Sequence, residues 1–470
     1  MRLASLLFAL LLTGSVQAQQ AAPAPPAAPL PDSAADQIRR GQYLATAADC
    51  IACHTVDENK PFAGGYPIAT PFGTIYGPNI TPDKATGIGS WTDDEFVRAL
   101  HEGIGRHGEH LYPAFPYTAF SKMTRDDVLA IKAYLFSLPP IVQQTPPNPL
   151  AFPFNQRTIL AGWKLFNFQP GKLQQDDNPA NGQLRRGAYL AEALAHCQEC
   201  HTPRNLTMGL DKKLAYGGAN VAGWKAYNIT PDPMSGIGAW TDAELTQYLR
   251  TGVVKGKAAA AGGMAEAIEH SLRHLSDDDV KALVRYLRSV PPIHDSLDSK
   301  PRFAMGKPAA DEVALRGQAK VSDSNTAASP AELFSGNCAS CHAASGAGSS
   351  DGAYPSLMNN SAVGARDPSN LVMVILQGVS RKTGEGHAFM PGFADRLDDA
   401  QVASLANYLL ARFGDERGKV DAAFVAQQRA GGPPSPLPRL MLGAAIAAVV
   451  ALLALLAWWW RRRKPGHPPA

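Results

Sequence analysis

Cys50-Ile51-Ala52-Cys53-His54, Cys197-Gln198-Glu199-Cys200-His201 and Cys338-Ala339-Ser340-Cys341-His342 contain all six cysteines of the chain. In each stretch two thiols stand one helical turn apart, the spacing needed to add to the two vinyl groups of one haem. The histidine that follows can reach the iron from the proximal side. A single C-x-x-C would serve equally well in thioredoxin-like redox chemistry or as half of a zinc site. Three such stretches, each ending in histidine and with no cysteine left over, imply three covalently bound haem c groups. Cys50, Cys53, Cys197, Cys200, Cys338 and Cys341 would carry the thioether bonds, and His54, His201 and His342 would be proximal ligands. Six cysteines in 470 residues are too few for a disulfide scaffold.

Working outward, the motifs fall at two nearly equal intervals, and a chain of this length suggests about three domains. Asn79-Ile80-Thr81-Pro82-Asp83 recurs as Asn228-Ile229-Thr230-Pro231-Asp232, and Gly87-Ile88-Gly89-Ser90-Trp91-Thr92-Asp93 as Gly236-Ile237-Gly238-Ala239-Trp240-Thr241-Asp242. Amphipathic stretches precede the motifs: Arg40-Gly41-Gln42-Tyr43-Leu44, Arg186-Gly187-Ala188-Tyr189-Leu190 and, less similarly, Glu332-Leu333-Phe334. Thr92-x-x-Glu95 and Thr241-x-x-Glu244 read as capping boxes that open helices. Closing helices are marked by Tyr134-Leu135, Tyr286-Leu287 and Tyr408-Leu409, the first two stopped by Pro139-Pro140 and Pro291-Pro292. Almost no stretch alternates as a strand would, so the expectation is all-α: three tandem cytochrome c domains followed by a single C-terminal transmembrane helix.

The ends set the boundaries. Residues 1–18 read as a signal peptide, with Arg2, the apolar run Leu6–Leu12 and the small-residue site Val16-Gln17-Ala18. An Ala/Pro-rich leader follows over 19–34. The three domains are expected over 35–140, 184–292 and 330–414, with linkers over 141–183, 293–329 and 415–439. The first linker carries Phe152, Phe154, Trp163, Leu165, Phe166 and Phe168, too aromatic for a plain tether. From Leu440 to Trp460 the chain is uncharged and long enough, at about 1.5 Å per residue, to cross a bilayer. Trp458, Trp459 and Trp460 fit an interfacial belt, and Arg461, Arg462, Arg463 and Lys464 in the tail 461–470 place that tail in the cytoplasm. The haem domains would then face the periplasm from the bacterial inner membrane. Those four cations and Arg2 account for the formal net charge of +3. The rest of the chain is slightly acidic, which excludes a nucleic-acid binder.

Methionine opposite the histidine would complete each iron. In the third domain Met390, followed by Pro391, is preferred to Met358 and Met373. In the second, Met264 is preferred to Met208, too close to His201, and to Met234, whose counterpart in the first domain is Lys84. In the first domain Phe115 occupies the position equivalent to Met390, and Met123 is the choice. His101, His107, His110 and an open position compete with it.

The segments Leu111-Tyr112-Pro113-Ala114-Phe115-Pro116-Tyr117, Phe152-Pro153-Phe154-Asn155-Gln156-Arg157, His201-Thr202-Pro203-Arg204-Asn205 and the paired Asn-Ile-Thr-Pro-Asp loops carry a resemblance. Over roughly residues 35–415 the chain resembles the trihaem cytochrome c subunit of bacterial membrane-bound alcohol, aldehyde and sugar dehydrogenases. That resemblance implies an electron-transfer subunit rather than the catalytic chain. Electrons would come from a catalytic dehydrogenase subunit carrying pyrroloquinoline quinone, flavin or molybdopterin and pass to ubiquinone, with a small third subunit as a further partner. The C-terminal span departs from the alcohol-oxidising members and favours the aldehyde-oxidising molybdenum branch or a less familiar relative. Two other readings stand beside this one. A tethered carrier to a terminal oxidase would need no dehydrogenase, but one spanning helix and no copper-ligand cluster do not make an oxidase. A self-sufficient haem peroxidase or reductase would need an exchangeable sixth position, which only the first domain leaves open.

Overall fold

A computed structural model describes residues 33–171, 173, 181–307, 329–350, 354–384 and 386–462. The expected signal peptide, most of the leader and the end of the cytoplasmic tail lie outside these residues, as do parts of the two long linkers.

Each haem motif sits between an opening and a closing helix. The first opening helix, Ala34–Ala47, is started by Ser33, whose side chain accepts from the Asp36 N–H. It packs on the closing helix Arg125–Ser137, started in the same way by Thr124 and Asp127. They cross at Gly41, where a Cβ would lie 1.8 Å from the Ala130 carbonyl oxygen. Any side chain there would force the helices apart. Around the second motif, helix Gly182–Tyr189 crosses Asp277–Ser289 at Gly187, and a Cβ would lie 2.0 Å from the Ala282 oxygen. The stretch from this glycine to its motif is one residue longer than in the first case. A π-helical turn, Leu190–Leu194, absorbs the extra residue. Around the third motif, helix Pro330–Asn337 meets Asp399–Phe413 through rings instead: Phe334 packs 5.7 Å from Tyr408 and 5.6 Å from Phe413.

The all-α expectation needs a correction, because the helices are joined by four two-stranded antiparallel hairpins among the described residues. They pair Pro67–Thr70 with Gly73–Tyr76, Ala219–Val221 with Trp224–Ala226, Val253–Val254 with Ala258–Ala259, and Val379–Thr383 with Gly386–Met390. The strands are two to five residues long, too short to show an alternating pattern. Ala222 and Gly223, both at positive φ, make the tight turn of the second hairpin. The connection after the first closing helix contains a helix, Ile159–Asn167, and the one after the third contains Ala422–Arg429.

Buried apolar side chains gather in two clusters. One extends from Leu44 to Val290 and so spans both the first and second motif regions; the other runs from Leu333 to Val425. The polar contacts over the shared core are reciprocal. Arg40 pairs with Asp127 at 2.7 Å, and Asp127 also accepts from the Tyr189 hydroxyl. Arg186 pairs with Asp279 at 2.7 Å, and Asp279 also accepts from the Tyr43 hydroxyl. Each tyrosine oxygen in turn accepts from the N-cap backbone of the opposing helix, Thr124 N–H to Tyr189 and Ser276 N–H to Tyr43. Each region thus lends the other the same side chain, as in a two-fold interface within one chain. The third region joins the second through Asn370, which brackets the Lys225 backbone at 2.8 and 2.9 Å, and through Met373 against Gly223. Beyond it, helix Leu437–Arg462 is apolar, exposed and long enough to cross a membrane, the single candidate among the described residues.

Burial pushes the Asp279 carboxyl up, but hydrogen bonds from Arg186 and Tyr43 outweigh it and hold the group below the usual carboxylate range. Its contribution is complete above the unfolded carboxyl's pKa of about 4 and is lost as pH falls through the lower folded value. Asp279→Asn should therefore cost about 1–3 kcal/mol at neutral pH, read as a lower unfolding midpoint, with the gap to the native chain closing in acid.

Candidate haem sites

The haem motifs lie on one-turn helices: Cys50–His54, Gln198–His201 and Ala339–His342. Asp49 and His196, the residues before the first two motifs, take left-handed backbone conformations that turn the chain from the opening helix into the motif. Burial pushes Cys50, Cys53 and Cys197 up to about 12 and Cys338 to about 11. Thioredoxin-like chemistry calls for the opposite shift, a thiolate favoured near neutrality. Among the described residues no cluster of three or more His, Cys, Asp or Glu could hold a metal ion, which removes the zinc alternative there.

The histidines are aimed by their backbone surroundings. Nδ1 of His54 lies 2.7 Å from the Pro78 carbonyl oxygen, that of His201 2.6 Å from Tyr227, and that of His342 2.9 Å from Pro355. A carbonyl can only accept, so Nδ1 carries the proton and Nε2 keeps its lone pair for a metal. Burial also holds all three imidazoles below their ordinary pKa, on the neutral side that ligation requires. Thiols at the right spacing and an oriented imidazole beside them fit a covalently held haem at every motif.

The repeated Asn-Ile-Thr-Pro-Asp loops fix those carbonyls in the first two sites. The Asn79 side chain accepts from the Thr81 N–H at 2.9 Å and hydroxyl at 2.7 Å, and donates to the Ile141 carbonyl at 2.8 Å. Asn228 repeats this with Thr230, at 2.8 and 2.7 Å, and with Ile293 at 2.7 Å. The asparagine directly follows the residue whose carbonyl holds the histidine, so the loop is anchored where the force is needed. Sequence reading found the repeated loops but not the carbonyls of Pro78, Tyr227 and Pro355. A backbone acceptor leaves no residue signature; the recurring asparagine after it was the available signal. Gly77 is needed for the same approach, because a Cβ there would lie 1.8 Å from the Cys53 oxygen.

Met123 is buried in the first core cluster, against which Cys50, Cys197 and Met264 also pack. Met264 lies on helix Gly262–His270. Met390 ends the strand Gly386–Met390 and packs on the second cluster with Cys338 and Met358. The passed-over methionines of the second and third regions are largely engaged elsewhere. Met208 sulfur accepts from the Ser435 hydroxyl at 3.6 Å, Met234 is exposed, and Met373 packs against Gly223. In the first region His107 is exposed, whereas Nε2 of His101 and Nδ1 of His110 are buried without a hydrogen-bond partner. The Met123 carbonyl lies beside the His101 ring, so these two candidates share one neighbourhood.

Comparison with known proteins agrees with this chemistry. A cytochrome c family model matches residues 38–139 and 327–412. The fructose dehydrogenase cytochrome subunit of Gluconobacter japonicus is 43% identical over 441 residues, 92% of this chain and 90% of that one. The gluconate 2-dehydrogenase cytochrome c subunit of Pantoea cypripedii is 37% identical over 405 residues, 83% and 89% of the two chains. The cytochrome c subunit of the quinone alcohol dehydrogenase of Gluconobacter oxydans is 32% identical over 410 residues, 84% and 83%. The region around the second motif lies between the two matched by the family model, yet it has the same glycine crossing, the same asparagine loop and the same carbonyl-held histidine as the first. With covalent haem sites of this build and relatives similar over most of its length, the chain belongs to the cytochrome c subunits of dehydrogenase complexes and serves in electron transfer.

Proposed function

We propose that this chain is a membrane-anchored, periplasmic trihaem cytochrome that takes electrons from a catalytic dehydrogenase subunit and delivers them to ubiquinone. The observation that carries the reading is the threefold recurrence of one constellation: two thiols, an adjacent histidine and a backbone carbonyl on its Nδ1. It supports three haem c groups in three tandem domains, over 35–140, 184–292 and 330–414. Each bound haem supplies a one-electron couple; the protein's part is to hold, shield and tune it. The helix Leu437–Arg462, with its terminal tryptophans and arginines, supports an inner-membrane anchor whose cationic end is cytoplasmic. A signal peptide over 1–18 would bring the rest to the periplasm, where bacteria attach haem c. The relatives act with fructose, gluconate and alcohol dehydrogenases. Sugar or alcohol oxidation by a partner chain is therefore the substrate chemistry favoured here.

Met123, Met264 and Met390 would hold the three irons together with His54, His201 and His342. A thioether favours the ferrous state and sets a higher potential than a second imidazole would. In the first two regions Cys50 and Cys197 pack against the same apolar cluster. Their two haems would therefore be attached close to one another.

Met123→Leu should lower the potential of one haem and leave the other two, with all haems still attached; an unchanged redox titration and spectrum would remove Met123 and turn attention to His101→Ala. Purified from gently solubilised membranes, the chain should bring a stoichiometric dehydrogenase whose cofactor identifies the branch, whereas a chain isolated alone with three haems would contradict the proposed role.

A further inference from the structure

Helix Ile159–Asn167 is amphipathic in an unusual sense. It turns Leu160, Trp163, Lys164 and Asn167 inward, yet its outer face carries Leu165 and Phe166, each 79% exposed. A surface helix ordinarily presents polar side chains there. The helix is fastened to the loop that follows the second haem motif. Trp163 donates from Nε1 to the Thr207 carbonyl at 2.9 Å, and the Asn167 side chain accepts from the Thr207 hydroxyl at 2.8 Å. Between those contacts the same loop exposes Leu206, at 65%. Further along, Lys212 and Lys213 are exposed beside Leu214, and Lys212 reaches back to Gln169 at 3.3 Å. The result is an apolar patch with lysines at its rim.

The same loop also touches the root of the C-terminal helix. Met208 sulfur accepts from the Ser435 hydroxyl at 3.6 Å, and Ser435 accepts from the Leu437 N–H where that helix begins. Leu440, the first residue of the uncharged span, lies five residues beyond Ser435, about 8 Å along a helix. That distance is comparable to the polar headgroup layer on one side of a bilayer, roughly 5–8 Å. If the helix crosses a membrane, Ser435 and the Met208 loop stand at headgroup level.

We infer that Leu165, Phe166 and Leu206 insert into the outer leaflet of the membrane that the C-terminal helix crosses, with Lys212 and Lys213 on the lipid phosphates. This rests on the anchoring reading above and adds a second, monotopic point of attachment. Apolar side chains dipping below the headgroups, flanked by lysines facing anionic lipid, have the composition of such a contact. With two attachments the haem region cannot swing freely about a single tether. The second motif would be held facing the bilayer surface, while the face away from the lipid is left for a soluble partner.

The test uses the complete haem-loaded complex in nanodiscs of phosphatidylethanolamine and phosphatidylglycerol doped with a phospholipid carrying a diazirine in its acyl chain. After irradiation, peptides are mapped by mass spectrometry. Label on peptides covering 159–169 and 204–214 should exceed, several-fold, that on peptides holding the exposed Val142 and Phe389. Leu165→Glu combined with Phe166→Glu, both at exposed positions, should bring the 159–169 label to background and leave that on 437–462 unchanged. Label confined to 437–462 would overturn the inference while leaving the anchor standing. An unlabelled 437–462 would overturn the anchor itself. Protection of the patch with crosslinks to the dehydrogenase would assign it to a protein interface instead and overturn the lipid contact.

Discussion

An imidazole offers a metal the nitrogen that does not carry the proton, and at each of the three motifs a backbone carbonyl fixes which nitrogen that is. Much of the architecture follows from delivering that oxygen to the right place. The carbonyls of Pro78 and Tyr227 come from loops that fold back over the motif, each pinned by the asparagine that follows. That asparagine spends its amide on the chain just beyond the closing helix, so the end of one structural unit holds the proximal wall of its own haem site. The third site reaches the same geometry through Pro355 without that loop, which shows that the constraint is the acceptor and not the motif that usually carries it.

The second organising fact is the reciprocity between the first two regions. Tyr43 and Tyr189 each leave their own region to complete an arginine–aspartate pair on the other. Because the aspartates are also the third residues of their helices, one side chain joins helix capping, an ion pair and a contact between regions. The polar contacts lie over a single apolar cluster, so neither region encloses its core alone. The third region has its own cluster and joins the second through polar contacts, among them Asn370 on the Lys225 backbone, Tyr227 on the Ser361 carbonyl and Arg381 on the Ala260 carbonyl.

Sequence revealed what depends on side chains close together in the chain. Capping at Thr92 and Thr241 was readable because the cap and its partner are three residues apart. The haem motifs were readable for the same reason. Other features depend on distance or on backbone. The strands, two to five residues each, are too short to show an alternating pattern, and the π turn adds a residue without a compositional mark. Tyr43 and Tyr189 appeared only as members of an amphipathic stretch, and their partners Asp279 and Asp127 lie far from them in the chain. Their pairing across the chain has no local signature. Met390 was singled out with the proline that follows it, but the strand that presents it had no visible pattern.

The shared cluster also bears on how the chain matures. Haem c is attached to a polypeptide that then closes around it, and a site left empty leaves a hole lined with apolar side chains. In the third region such a hole would be confined to one cluster. In the first two it would open into a core that both own, so an error at either attachment site would compromise its neighbour. Loading of that pair would therefore be all-or-none in its consequences, and a chain lacking one of the two would offer proteases a double-sized target.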